Sequence, residues 1–307
     1  MAKPVRHGDT IVITGAAGQI GYEAVRQLAP LGKVVGLTRA DLDLANAAAI
    51  RETIRALRPR VIVNAAAYTA VDRAESEREL CVAINADAPA VLAEEARRLG
   101  ALLVHYSTDY VFDGSKGAPY TETDPPAPLN VYGATKLAGD QAIQAAGGAY
   151  VILRTSWVYG TRGTNFLCTM LRLARERTEL RVVNDQVGAP TWSRSIAGMT
   201  ADMVGRELSR GGDFGTDVSG LYHLAAAGST TWYEFARCIL EGDPRRHEQV
   251  CRAVIPISTA EYPTAARRPA YSVLDCTAFS DRFRLSLPEW REQLALVLSD
   301  LQPGGPR

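Results

Sequence analysis

Thr10-Ile11-Val12-Ile13-Thr14-Gly15-Ala16-Ala17-Gly18-Gln19-Ile20-Gly21 is the stretch on which the fold turns. Five β-branched residues in a row read as a buried strand, and the run Ile20–Leu31 behind them reads as a helix. Gly15, Gly18 and Gly21 stand between the two. Glycines there let the chain turn sharply and let an anionic pyrophosphate approach the backbone, while the first N–H groups of the helix face it. With Gln19 and Ile20 completing the turn, the stretch predicts a nucleotide-binding strand–turn–helix. A tight turn made for packing alone is the alternative.

Outward from this turn the pattern repeats. Val34–Leu37, Val61–Val63 and Leu102–His105 read as strands, and Ala47–Leu57 and Ala86–Leu99 as helices. Strands alternating with helices of this length specify βαβ units, and so an α/β fold: a doubly wound parallel Rossmann sheet with its ligand site at the carboxyl ends of the strands. The Gly/Pro-rich segment from Asp113 to Pro128 breaks the alternation and reads as a flap over a site or an ordinary surface excursion. Val131–Ala146 is helical and Val151–Leu153 returns to the sheet. Beyond Gly160 the pattern becomes irregular: helices over Asn165–Arg177, Ser195–Leu208, Trp232–Leu240 (with Ser229 as N-cap) and Glu289–Leu301, and extended segments at Leu180–Val183 and Leu221–Leu224. The expected division is a dinucleotide-binding domain over 1–160, with a segment near 195–228 returning to it, and a smaller α/β substrate domain over 161–307.

Composition bounds the function. The 307 residues hold 34 Lys+Arg and 34 Asp+Glu, so no net basic field favours nucleic acid. No apolar run reaches membrane-spanning length and the N-terminus has no signal-like core, so no membrane partner is expected. The five cysteines are odd in number and scattered, with no metal-ligand spacing, which fits thiols in a reducing, cytoplasmic compartment.

The chemistry concentrates in a few places. Thr38-Arg39 follows the second strand where a carboxylate would favour NAD, so Arg39 points to the 2′-phosphate of NADP(H); a solvated arginine is the alternative. Asp43-Leu44 lies where adenine contacts arise, and Ala65-Ala66-Ala67 offers small side chains beside a flat cofactor. In Tyr132-Gly133-Ala134-Thr135-Lys136 the spacing of four puts phenol and ammonium on one helical face, where the cation favours phenolate and makes the tyrosine a usable proton donor. A chance Tyr-xxx-Lys is expected in roughly one such chain in six, so the motif gains weight from Ser107-Thr108 at the end of the fourth strand, whose hydroxyl suits a carbonyl. Trp157 reads as a wall for a sugar or as core, Arg267-Arg268 as a diphosphate clamp or a solvated pair, and His105 as a satisfied core histidine.

Together these residues resemble the extended short-chain dehydrogenase/reductase family. HYSTDYVFDG (His105–Gly114), PLNVYGATKLAG (Pro128–Gly139), RTSWVY (Arg154–Tyr159), NDQVGAP (Asn184–Pro190), the stretch Val63–Asp72 and Arg267-Arg268-Pro269 narrow the likeness to its dTDP-4-dehydrorhamnose reductase branch over nearly the whole chain. The resemblance implies NADPH-dependent reduction of the C4 ketone of dTDP-4-dehydro-L-rhamnose to dTDP-L-rhamnose, with NAD(H) open as a second cofactor. It implies Tyr132 as proton donor, Lys136 as the group that tunes it and binds the nicotinamide ribose, and Thr108 as the polarising hydroxyl. Thr69, Val71, Asp109, Tyr110, Phe112, Trp157, Asn165, Gln186 and Arg268 are implied around the nucleotide sugar. Some relatives hold magnesium through acids at a dimer contact; Trp192-Ser193-Arg194-Ser195 carries an arginine and no acid, so no metal is expected. A monomer or a homodimer is expected. The alternatives are a reductase or epimerase of another nucleotide sugar, and a regulatory subunit without catalysis.

Overall fold

The computed structural model describes residues 9–210 and 214–301. Its centre is a parallel sheet of β1 (Thr10–Thr14), β2 (Lys33–Leu37), β3 (Val61–Asn64), β4 (Leu102–Thr108), β5 (Tyr150–Thr155) and β6 (Gly220–His223), in the order β6-β5-β4-β3-β1-β2. Along β1, Ile11 and Ile13 enter one core with α1 (Gln19–Gln27), while Val12 enters another with α2 (Ala47–Leu57). A strand covered on both faces is apolar without alternation, which is why TIVIT contains no outward polar position. The first core is completed by α6 (Ser193–Ser209), the second by α3 (Ala88–Leu99) and α4 (Val131–Ala146). Strand order reverses between β1 and β3, opening a crevice at their carboxyl ends.

A third core gathers α5 (Phe166–Glu176), α7 (Trp232–Glu241) and α8 (Trp290–Asp300) around Leu167, Phe235, Trp290 and Val297. The strand Glu179–Val183 pairs there in parallel with Ala253–Ile257. Arg194 in α6 reaches Glu23 in α1 at 3.3 Å and Asp300 in α8 at 2.6 Å.

Several boundaries differ from the sequence expectation, each for a local reason. α1 stops at Gln27 and a short 3-10 turn carries on to Leu31, because Pro30 has no N–H to offer the Arg26 carbonyl. The helix expected from Ala86 begins at Arg78 and passes through a π-turn over Ala83–Asp87 before α3. Pro89 is the cause: it cannot donate to the Asn85 carbonyl, so the ladder slips. Ser229 is not the cap of α7; Thr230-Thr231 pairs with Val187-Gly188, the chain stays extended, and Thr231 accepts from the Glu234 N–H instead. The segment 113–128 is pinned rather than free to act as a flap. Tyr120 is buried against Phe112 with ring centroids 4.2 Å apart and is bracketed by backbone bonds to Val273 and Asp275, while Lys116 pairs with Asp124.

Candidate active site

The glycine turn is dictated by contact. Gly15 has φ +68° and faces the Ala65–Ala66 backbone so closely that a Cβ would lie 2.7 Å from Ala66 Cα, and a Cβ on Gly21 would lie 2.1 Å from the Gly15 carbonyl oxygen. Gly18 is the N-cap of α1 with no side-chain cap, and the first helical turn has no acid. Its free N–H groups and the small residues Ala65, Ala66 and Ala67 make a cradle that fits a pyrophosphate. Gln19 adds a buried side-chain oxygen with no partner. After β2, Asp41 takes both the N–H and the hydroxyl of Thr38, leaving Arg39 exposed and, among the described residues, without an ion pair. Asp43 holds the Ala45 N–H, and Leu44 is buried in the core shared with α2, so its side chain does not line the crevice.

Beyond the ends of β3 and β4 lies the candidate catalytic group. The backbone of Thr108 ends β4, and its hydroxyl donates to Asp109 Oδ1 at 3.1 Å while accepting from the Tyr110 N–H at 3.1 Å. Burial pushes the Asp109 carboxyl up to about 6 even though hydroxyls, Ser156 among them, donate to it. Asn130 caps α4 and its amide reaches the Arg267 carbonyl, fixing Tyr132 in the first turn. Burial raises the Tyr132 phenol strongly, and the neighbouring Thr108 hydroxyl works against this. Lys136 sits on the same face but its ammonium is turned beneath the sheet end, 2.7 Å from the Tyr106 carbonyl and 2.9 Å from His105 Nε2. Burial lowers it to about 8 against the pull of Asp140. The cation expected to tune the tyrosine is thus held by the Tyr106 carbonyl and by His105.

Around this group the structure brings together Tyr110, whose ring meets that of Tyr132 edge-on at 5.7 Å, and Arg268, bound to Asp72 at 2.7 Å. Asp72 belongs to the short helix Val71–Ala74, so Thr69 (exposed) and Val71 (half-buried) stand beside the same clamp. Trp157 has φ +45°, a left-handed backbone unusual for a large side chain. Its ring lies where a Cβ on Gly188 would be, and stacks on Trp232 at 3.5 Å. Trp232, Gln186 and Arg268 line a cavity of ≈ 630 Å³ with Phe166, Met170 and Val183.

Besides Leu44, two expected contacts are corrected. Phe112 is fully buried between Tyr120 and His223, so its side chain faces core and not ligand. Asn165 spends its side chain capping α5 and holding the Gly160 and Arg162 carbonyls. The sequence reading missed Trp232, Asp72 and Asn85. Asn85 in the π-turn bonds both backbone groups of Tyr68 and reaches Thr135, joining the loop after β3 to α4. The one available signal for it was Pro89 four residues on. Among the described residues no three His, Cys, Asp or Glu side chains are placed to hold a metal, no helix is long and apolar enough to cross a membrane, and the five cysteines are unpaired.

Residues 9–302 match the family model described as RmlD substrate binding domain. The chain is 48% identical over 294 residues to a dTDP-4-dehydrorhamnose reductase from Burkholderia thailandensis, covering 95% of this chain and 98% of that one. To the Escherichia coli K12 protein of the same name it is 45% identical, covering 95% and 97%. Among solved structures, the Bacillus anthracis dTDP-4-dehydrorhamnose reductase in complex with NADP superposes with a TM-score of 0.85 at 36% identity, covering 94% and 98%. A Thermus thermophilus UDP-glucose 4-epimerase at 20% identity and a TM-score of 0.76 shares the fold.

Proposed function

The chain belongs to the RmlD family of dTDP-4-dehydrorhamnose reductases, and we propose from that premise that it reduces the C4 ketone of dTDP-4-dehydro-L-rhamnose to dTDP-L-rhamnose with NADPH. The observation that supports the reading is a glycine turn whose cradle a single Cβ would fill, together with Thr108 at the end of β4 and Tyr132 and Lys136 in the first turns of α4. Gly15, Gly18, Gly21, Gln19 and Ala65–Ala67 would hold the dinucleotide, and Arg39 its 2′-phosphate, with NAD(H) as the weaker partner. When bound, the cofactor supplies the two electrons and the hydrogen that reach the C4 carbon. Tyr132 gives its phenolic proton to the ketone oxygen, an act of general acid catalysis worth ~10²–10⁴ in rate. Thr108 orients that phenol and the ketone, while Asp109 orients Thr108. Lys136 holds positive charge beneath both. Tyr110, Arg268, Val71, Thr69, Trp157 and Gln186 would surround the sugar nucleotide, with Trp232 added as the second indole of the stack. Residues 1–160 with the returning segment near 195–228 would serve the cofactor, and 161–307 mainly the substrate. The enzyme is proposed to act in the cytoplasm as a monomer or homodimer on a nucleotide sugar, with no nucleic-acid or membrane partner.

The test is NADPH consumption with dTDP-4-dehydro-L-rhamnose, run beside UDP- and GDP-ketosugars and with NADH in parallel. Tyr132→Phe should bind NADPH as the parent does and lose at least about a hundredfold in kcat; turnover at the parental rate would overturn the assignment. Arg39→Asp should weaken NADPH while sparing NADH, and equal losses with both would remove the 2′-phosphate role.

A further inference from the structure

A polar line crosses the carboxyl end of the sheet where three neighbouring strands are in register. Thr14 of β1 is paired with Asn64 of β3, and Asn64 with His105 of β4. All three are buried, and their side chains bond in sequence: Thr14 Oγ1 to Asn64 Oδ1 at 2.6 Å, Asn64 Nδ2 to His105 Nδ1 at 2.9 Å, and His105 Nε2 to Lys136 Nζ at 2.9 Å. One end of the line is the residue before the glycine turn; the other is the buried ammonium beneath the candidate proton donor.

We propose that His105 is a positioning residue for Lys136: a neutral imidazole that takes one N–H of the ammonium and, through Asn64 and Thr14, ties the lysine to the strand that carries the cofactor turn. The inference rests on the reductase reading above. Burial and the neighbouring lysine charge hold His105 far below its usual range, so the ring carries a single N–H. With Lys136 charged, Nε2 accepts, the ring proton sits on Nδ1 and donates to the Asn64 amide oxygen, and the amide nitrogen donates to Thr14. When Lys136 gives up a proton to solvent, the ring proton moves to Nε2 and donates to the amine. Asn64 then donates to Nδ1 and accepts from Thr14. With Nδ2 at His105 Nδ1 and Oδ1 at Thr14, the amide stands in the second arrangement; a half-turn of the amide exchanges Oδ1 and Nδ2, which are nearly equal in size, and gives the first. The ring tautomer therefore follows the charge on Lys136. The Tyr106 carbonyl takes a second N–H at 2.7 Å, which leaves one of the three for a ligand in the crevice. The other charged or titratable groups facing Lys136 are Asp140, on its own helix and held by Arg154 and Ser107, and the Cys81 thiol from the Arg78–Val82 helix. β1 and β3 contribute Thr14 and Asn64, which do not titrate.

Nitrogen-15 NMR of the imidazole rings in the free enzyme tests this without turnover, with His105→Gln identifying the His105 signals. The Nδ1–H tautomer is expected at pH 6 and the Nε2–H tautomer above the lysine transition. An Nε2–H ring at pH 6, or a tautomer that ignores pH, would overturn the proposal. In turnover, kcat should fall on the alkaline side as Lys136 loses its charge. His105→Leu removes the acceptor that favours the ammonium and should move that limb down by about one pH unit, whereas His105→Gln restores an acceptor and should keep it in place. An unmoved limb in the leucine variant also overturns it. If the parent enzyme consumes no NADPH with the keto sugar, the reductase reading falls while the NMR titration still decides the role of His105; it decides likewise if the leucine variant does not fold.

Discussion

Thr108 and Asp109 show how much a single hydroxyl depends on its neighbour. The Thr108 proton points at Asp109 Oδ1, and its oxygen accepts from the Tyr110 N–H. The cost falls on Asp109, only 2% exposed, whose carboxyl titrates near 6 against an ordinary 3.8. A group whose folded value is raised binds its proton more tightly in the native state, so the penalty is absent below the unfolded value and complete above the folded one. Asp109→Asn should therefore stabilise the protein above pH 6 by about 2–3 kcal/mol and lose that advantage as pH falls to 4, while kcat drops because Thr108 is no longer aimed. Thermal melts of both proteins from pH 4 to 8 check this; an offset that does not change with pH would refute it. Tyr132 and Lys136 were readable as a pair from spacing on one helix. His105 was read as a core histidine with its bonds satisfied, and it is, but the group that satisfies it lies 31 residues away on another element. No local pattern carries that information.

At the scale of elements, β1, the turn and α1 form one device whose parts are matched atom to atom. Gly21→Ala would drive a methyl into the Gly15 carbonyl at 2.1 Å, and backbone cannot swing aside as a flexible side chain can. The expected result is a loss of NADPH affinity of more than about tenfold, with α1 displaced. Gly100→Ala is the control: Gly100 has φ +64° but open space around its Cβ, so it should cost about 1 kcal/mol of stability and leave cofactor affinity alone. Isothermal titration of both variants separates the two effects; equal affinities would contradict the cradle. Element types were legible because apolar period and flanking glycines are local. Boundaries moved where proline removed a donor, at Pro30 and Pro89, or where a remote strand held the chain extended, as at Thr231.

At the scale of the whole molecule, Arg194 binds three helices distant in sequence, reaching Glu23 and Asp300 from α6. Glu23 has only 7% of its side chain exposed, so removing the guanidinium leaves a nearly buried carboxylate unpaired. Arg194→Ala should cost about 1–3 kcal/mol and lower the melting temperature by several degrees. A melting temperature equal to the parent's would show the bridge to be idle. The sequence by itself determined the doubly wound parallel class, the glycine cradle and the Tyr–Lys face, because each is written in residues a few positions apart whose geometry the backbone fixes. Only the tertiary structure decided that β6 completes the sheet beside β5, that Trp157 rests on Gly188 and stacks on Trp232, that Phe112 turns inward, and that Lys136 leans on a histidine in register with Asn64. Those are contacts between segments tens of residues apart, selected by packing and by the need of every buried polar atom for a partner, and neither constraint acts until the chain has closed on itself.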